Sequence, residues 1–168
     1  MDIYWKTVGW QSEYRIFREK VIVGILKRGS WGTDTYGEYN GYLVRFDTKG
    51  FGKRSARILD IEGQKVLGSV KFRRFPTSAT ITYEGEEYQW NYQQWSRYKW
   101  SVRHTDEEAT YVAARPWQGG GGTIQYDYLH PAIVLVGLYV HSYFRQRFRL
   151  MVLAGVSIPA LARLLMHL

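Results

Sequence analysis

The sequence predicts a single, mainly β domain of the sandwich or barrel kind, with a buried helix near its C-terminus. Three observations lead there. Seven Trp, fourteen Tyr and seven Phe among 168 residues are a heavy aromatic load, and broad rings pack best on a pleated surface. From residue 3 to residue 126, short apolar-polar runs alternate with turn residues at a spacing of about 8–12, typical of antiparallel sandwiches and barrels. Residues 132–144, AIVLVGLYVHSYF, are apolar around their whole circumference apart from His141 and Ser142, so water must be kept from every face of that segment.

The size suits one domain with a substantial core, at 45% apolar content. The absence of cysteine excludes disulfides, thiolate metal sites and thiol nucleophiles. Residues 1–10, MDIYWKTVGW, lack the basic and apolar regions of a secretory signal. The expected residence is the cytoplasm, with membrane association through the C-terminal tail.

Strands are expected at 3–8, 14–18 and 21–27. The last carries Val21, Val23 and Ile25 on one face and Ile22 and Leu26 on the other, which predicts burial on both. Residues 29–37, GSWGTDTYG, read as a loop. One strand over 39–47 follows, with Tyr42, Val44 and Phe46 on one face, and then a turn over 47–53. Strands at 56–61 and 65–72 flank Glu62-Gly63-Gln64, and strands at 80–83 and 87–91 flank Glu84-Gly85-Glu86, both hairpin patterns. Residues 98–103 alternate, with Tyr98, Trp100 and Val102 inward and Arg97, Lys99, Ser101 and Arg103 outward. Strands at 110–114 and 123–126 close a run of about eleven.

As a helix, residues 132–144 measure about 20 Å, short of the ~30 Å bilayer core, which favours burial in protein. Pro131 suits a first helical position, where its missing N–H costs nothing. Ile133, Val134, Val136 and Val140 are β-branched and would suit a strand, but the length favours a helix, expected over 131–148. Arg145, Arg147 and Arg149 then precede residues 150–168, LMVLAGVSIPALARLLMHL, expected to form an additional tail helix beyond a 1–149 barrel domain. Two readings stand for this tail, whose contact residues are Leu150, Val152, Leu153, Val156, Leu161, Leu164 and Leu165. It is long enough to span a bilayer, with the three arginines as its cytoplasmic flank; or it packs on the domain or in a partner's groove. Against insertion stand Pro159 and Arg163, the latter costing roughly 3 kcal/mol at mid-depth unless it snorkels from near the end.

A run of strands over 3–126 followed by the helical segment YLHPAIVLVGLYVHSYFRQRF, residues 128–148, resembles the tubby C-terminal fold shared with phospholipid scramblases and the LURP-one-related proteins. The resemblance covers nearly the whole chain and rests on architecture. It implies a closed antiparallel barrel of about twelve strands surrounding the hydrophobic helix. Closure removes sheet edges, and a helix fills a lumen too wide for side chains alone. The chain departs from scramblases in having neither cysteines to acylate nor an acidic calcium-binding segment, so lipid flipping is not expected. Tubby proteins bind phosphoinositides through Lys and Arg on the barrel exterior, and no single position here is matched to theirs.

The formal charge of +8 favours an anionic partner without selecting one. Lys53, Arg54 and Arg57 form one basic cluster and Lys71, Arg73 and Arg74 another. If their strands are neighbours, the six make one patch for lipid headgroups or other phosphates; the alternative is a solvated outer wall. Trp90, Tyr92, Trp95, Tyr98 and Trp100 interleave with Arg97 and Lys99 like a base-stacking surface, but core packing accounts for them more economically, so nucleic acid is a weak candidate. His104 in HTDEE reads as part of a polar turn, and His141 as a hydrogen-bonded core residue. Residues 119–122, GGGG, lack the following Lys-Ser/Thr and helix of a phosphate loop. No cofactor, metal or catalytic constellation is called for. The expectation is a non-enzymatic module at a membrane or in a membrane-associated complex, with an anionic phospholipid or a protein as partner; the alternative is a soluble adaptor whose C-terminal helix docks on another protein.

Overall fold

The computed structural model describes residues 2–9, 13–29, 34–48, 54–93, 96–114 and 120–165, with helical side chains described through Val152. Twelve strands run in order: β1 (Asp2–Val8), β2 (Glu13–Arg18), β3 (Val21–Arg28), β4 (Asp34–Tyr39), β5 (Tyr42–Asp47), β6 (Ser55–Leu59), β7 (Val66–Arg73), β8 (Ser78–Tyr83), β9 (Glu86–Tyr92), β10 (Lys99–His104), β11 (Glu107–Ala113) and β12 (Gly121–Tyr126). Each pairs antiparallel with its sequence neighbours, and β1 pairs with β12 to close the barrel. A single helix, α1 (Pro131–Leu165), follows. This is the expected closed barrel around a hydrophobic C-terminal helix.

Alternation on the strands delivers one side chain in two to the lumen. Ile3 and Trp5, Val44 and Phe46, Ala79 and Ile81, and Trp90, Trp100 and Tyr111 are buried there. Residues 132–142 of α1 are buried against them on every side. Sizes are matched across the wall: Ala79 lies opposite both Phe72 and Trp90. At Gly37 of β4 an added Cβ would crowd β3, 3.0 Å from the Ile25 carbonyl and 3.1 Å from Leu26 Cδ1, and would reach ordinary contact with Leu135 of the helix. The barrel also donates to the helix backbone, through Trp90 Nε1 to the Gly137 carbonyl at 3.1 Å and Tyr111 Oη to the Val134 carbonyl at 3.0 Å.

Several local expectations are corrected. Residues 34–37 are strand, not loop, because pairing with both β3 and β5 supplies their backbone hydrogen bonds. The run 39–47 is two strands broken at Asn40 and Gly41, whose φ values of 49° and 82° make the turn; this break supplies the twelfth strand. Tyr42 shares the inward face with Val44 and Phe46, as expected; at the mouth of the barrel it is half-exposed and packs on His130, ring centres 4.4 Å apart. Val21 and Ile22 are exposed, since the outer face of the barrel meets solvent. Ser101, expected outside, is buried, and Tyr98, expected inside, precedes β10 and is exposed.

The tail is not an additional helix. Residues 150–165 continue α1 without a break, passing through Pro159. At ~1.5 Å per residue the 35-residue helix is about 50 Å long, whereas a six-residue strand covers about 20 Å. The helix therefore fills the lumen with its first half and projects with its second. Burial follows that division, and residues 148–152 are exposed.

Candidate functional site

Antiparallel order places six connections at each end of the barrel. At the end where the helix goes in, the links are tight, such as Asn40-Gly41, Glu84-Gly85 and Thr105-Asp106. At the other end, where the helix emerges, the strands are joined by longer links, 74–77 among them. This exit end is where the candidate residues meet.

Charge is divided between the two ends. Of the fifteen acidic residues, only Glu13, Asp34 and Asp47 stand at exit-end strand termini, and each is ion-paired: Glu13 to Arg15 at 2.6 Å, Asp34 to Arg45 at 2.7 Å and Asp47 to Arg57 at 2.5 Å. The other twelve lie toward the opposite end, from Glu19 in the β2–β3 turn to Asp127 before the helix. The exit end carries Arg28, Arg54, Arg73, Arg74 and Arg97 on the barrel and Arg145, Arg147 and Arg149 on α1. Among the described residues, none of these eight arginines lies within ion-pairing distance of a carboxylate.

The two basic clusters of the sequence are brought together. β6 and β7 pair, with Ser55 opposite Lys71 and Arg57 opposite Ser69, and the Phe72 N–H donates to the Arg54 carbonyl at 2.7 Å. Arg57, Lys71 and Arg73 share the outer wall, while Arg54 and Arg74 lie at the rim; all five are exposed. Lys53 falls outside the described residues. Arg57 is engaged by Asp47, which leaves Lys71 and Arg73 on the wall and Arg54 and Arg74 at the rim without a carboxylate partner among the described residues.

On the helix, Arg147 donates to the Tyr143 hydroxyl at 2.6 Å and stacks on its ring at 5.4 Å. Arg28 donates to Ser142 Oγ at 3.0 Å; its burial pulls its pKa below the usual arginine value. Arg97, adopting a φ of 57°, lies over the Phe148 ring at 4.9 Å. Leu150 and Val152 are exposed. Leu153, Val156, Leu161, Leu164 and Leu165 lie on the same helix, with side chains outside the described set.

Sequence reasoning missed Arg28 and Phe75, and placed Arg97 only within the aromatic run weighed for base stacking. Phe75 sits in the β7–β8 link next to Arg73 and Arg74 and is 91% exposed; the run RRFP, a large apolar residue between two cations and a turn-forming proline, was its available signal. Arg28 had no such local signal, and Arg97 none that tied it to the helix, because only closure carries their strand ends there.

The remaining candidates resolve as core or turn. Trp90 and Trp100 have no exposed area, which removes them from any base-stacking surface; Trp95 lies outside the described residues. His141 stacks on Trp100 with ring centres 3.8 Å apart, and its Nδ1 is 3.3 Å from the Tyr92 hydroxyl. Burial, assisted by Arg145, pushes its pKa down to about 3. His104 is held between the Glu86 carboxylate at 3.3 Å and the Glu87 carbonyl at 2.7 Å, as a hairpin residue. No group of His, Asp or Glu among the described residues is arranged to hold a metal ion.

The chain was compared with family models, curated proteins and solved structures. None matches.

Proposed function

We propose that the chain is a non-enzymatic module, of the tubby and scramblase-like kind, that sits on an anionic membrane surface with its exit end toward the headgroups. The observation that carries this reading is the charge division: five arginines on the barrel and three on α1, with no carboxylate partner among the described residues, mark the exit end, while twelve of fifteen acidic residues lie toward the far end. A field of that shape orients the molecule as well as attracting it. Each arginine close to an anionic leaflet contributes about 1 kcal/mol, so a few together suffice for peripheral binding. Apolar contacts stand among the cations: Phe75 on its link, and Phe148, Leu150, Met151 and Val152 on α1, all exposed. Among the described residues no helix is long and apolar enough to cross a membrane, which suits attachment at the interface.

The test is co-sedimentation of the full chain with vesicles. Binding to phosphatidylserine-containing vesicles, absent with phosphatidylcholine alone and lost in Arg73→Gln/Arg74→Gln/Phe75→Ser, supports the reading. Equal recovery with both vesicle types overturns it. The same exposed helical residues favour a second reading, a soluble adaptor whose helix enters a partner's groove; that reading requires a defined partner, lost when residues 150–168 are removed, and no preference for anionic vesicles.

A further inference from the structure

A cavity of about 570 Å³ opens at the exit end, between α1 and the ends of β1, β9, β10, β11 and β12. That volume falls within the range of about 300–1,000 Å³ that holds small organic ligands. Its lining is of two kinds. Trp5, Tyr92, His141 and Phe144 form an aromatic floor, of which Trp5, His141 and Phe144 are buried. Arg97, Arg145 and Arg149 supply three positive charges, and among the described residues no carboxylate lines the cavity.

We propose that this cavity binds an anionic amphiphile, its phosphate or carboxylate head held by Arg97, Arg145 and Arg149 and its hydrocarbon body lying on the aromatic floor. Each part answers to a feature of the site. His141 is uncharged at neutral pH, and its Nδ1 is occupied with the Tyr92 hydroxyl, so the floor confronts an apolar body with no buried ion. Arg97 and Arg145 both lower the pKa of Tyr92 against the upward push of its burial, so both cations act within reach of the floor. Arg97 is steadied by stacking on Phe148, which reduces the rotamer freedom a ligand must remove. Ala113, Ala114, Gly120 and Gly121 contribute wall without bulk. A bare inorganic anion would leave the aromatic floor unused, and a neutral alkanol would leave three arginines unanswered. Neither fits as well as a molecule with both parts. The site shares Arg97, Arg145 and Arg149 with the surface reading but does not depend on it: the rim can rest on a bilayer with the cavity empty, and the cavity can take a soluble amphiphile away from any membrane.

Isothermal titration of the full chain with octyl phosphate, monomeric in solution, tests this. The expected result is saturable one-to-one binding, with octanol and inorganic phosphate each at least about tenfold weaker, a factor that corresponds to one charge-assisted contact. Arg145→Gln/Arg149→Gln, which keeps the floor, and Ala114→Phe, which fills the cavity and keeps the charges, are each expected to weaken octyl phosphate by about tenfold or more, with folding checked by circular dichroism. Arg73→Gln/Arg74→Gln/Phe75→Ser lies outside the cavity and should leave this affinity unchanged while reducing vesicle binding, so failure of one reading does not imply failure of the other. Vesicles containing phosphatidic acid separate the sources: displacement of octyl phosphate identifies a lipid, retention a soluble phosphate ester, and either upholds the site. Octyl phosphate binding no tighter than inorganic phosphate, or binding indifferent to both cavity variants, overturns it.

Discussion

Gly137 and Tyr111 occupy complementary space at the centre of the barrel: a Cβ on the glycine would overlap the tyrosine hydroxyl and lie 2.6 Å from its Cζ. The hydroxyl uses this approach to donate to the Val134 carbonyl, and the ring stacks on Trp100, centres 5.3 Å apart. Gly137→Ala in an exposed helix would stabilise by up to about 1 kcal/mol. Here overpacking costs about 1–3 kcal/mol, and the expected net effect is destabilising, read as a lower urea midpoint at unchanged slope. In a Tyr111→Phe background the penalty should shrink, because the hydroxyl half of the overlap is gone. A higher midpoint for Gly137→Ala alone would show that the helix does not lie where these contacts require.

His141 predicts an acid-sensitive core. Its folded pKa, about 3, lies below the unfolded value near 6.5. Above pH 6.5 neither state binds the proton and the residue adds no pH dependence. As pH falls from 6.5 toward 3, only the unfolded state takes it up, so stability declines, by about 2 kcal/mol at pH 5, until the folded ring also titrates. The charged group bearing on it is Arg145, from the same helix, while Tyr92 and Trp100 from the wall are neutral. His141→Phe keeps the stack on Trp100 and should flatten the stability profile between pH 5 and 7. A profile identical to that of the parent protein would sink the assignment.

The Asn40-Gly41 turn predicts a purely conformational cost. Gly41 has a φ of 82° and nothing within 4 Å of a would-be Cβ. Gly41→Ala therefore meets no clash, and its expected loss of about 1 kcal/mol comes from left-handed backbone alone. Urea unfolding measures it, and no change in midpoint would mean the turn adopts another conformation.

That turn also marks where the sequence misled. Asn-Gly between apolar runs is a strong hairpin signal, yet Tyr42, Val44 and Phe46 alternate on one face and draw the strand out across it. Closure explains the other misreadings. GSWGTDTYG has loop composition, but in a sheet without edges residues 34–37 find partners on both sides, and Gly37 packs on β3 inside the barrel rather than making a turn. The all-round apolar character of residues 132–144 was legible because burial on every face leaves no polar stripe. The exit-end cluster was legible only in part. Arg54 and the pair Arg73 and Arg74 fall in basic clusters visible along the chain, whereas Arg28, Arg97 and Arg145 come from distant segments and meet only when β1 joins β12.

The last prediction separates rim from wall. Arg57 is on the outer face of β6 and already paired with Asp47, so Arg57→Gln removes a cation whose field is largely cancelled nearby. Arg74 is exposed at the rim, with no carboxylate within ion-pairing distance among the described residues. If the exit end meets the membrane, Arg74→Gln should weaken binding to anionic vesicles several-fold, about 1 kcal/mol, and the difference from the parent should shrink as salt screens the surface. Arg57→Gln should change vesicle affinity little. Lys71→Gln, on the wall one step from the rim, should fall between them. The reverse order, with Arg57 dominant and Arg74 silent, would place the membrane against the side of the barrel and leave the helix exit facing water.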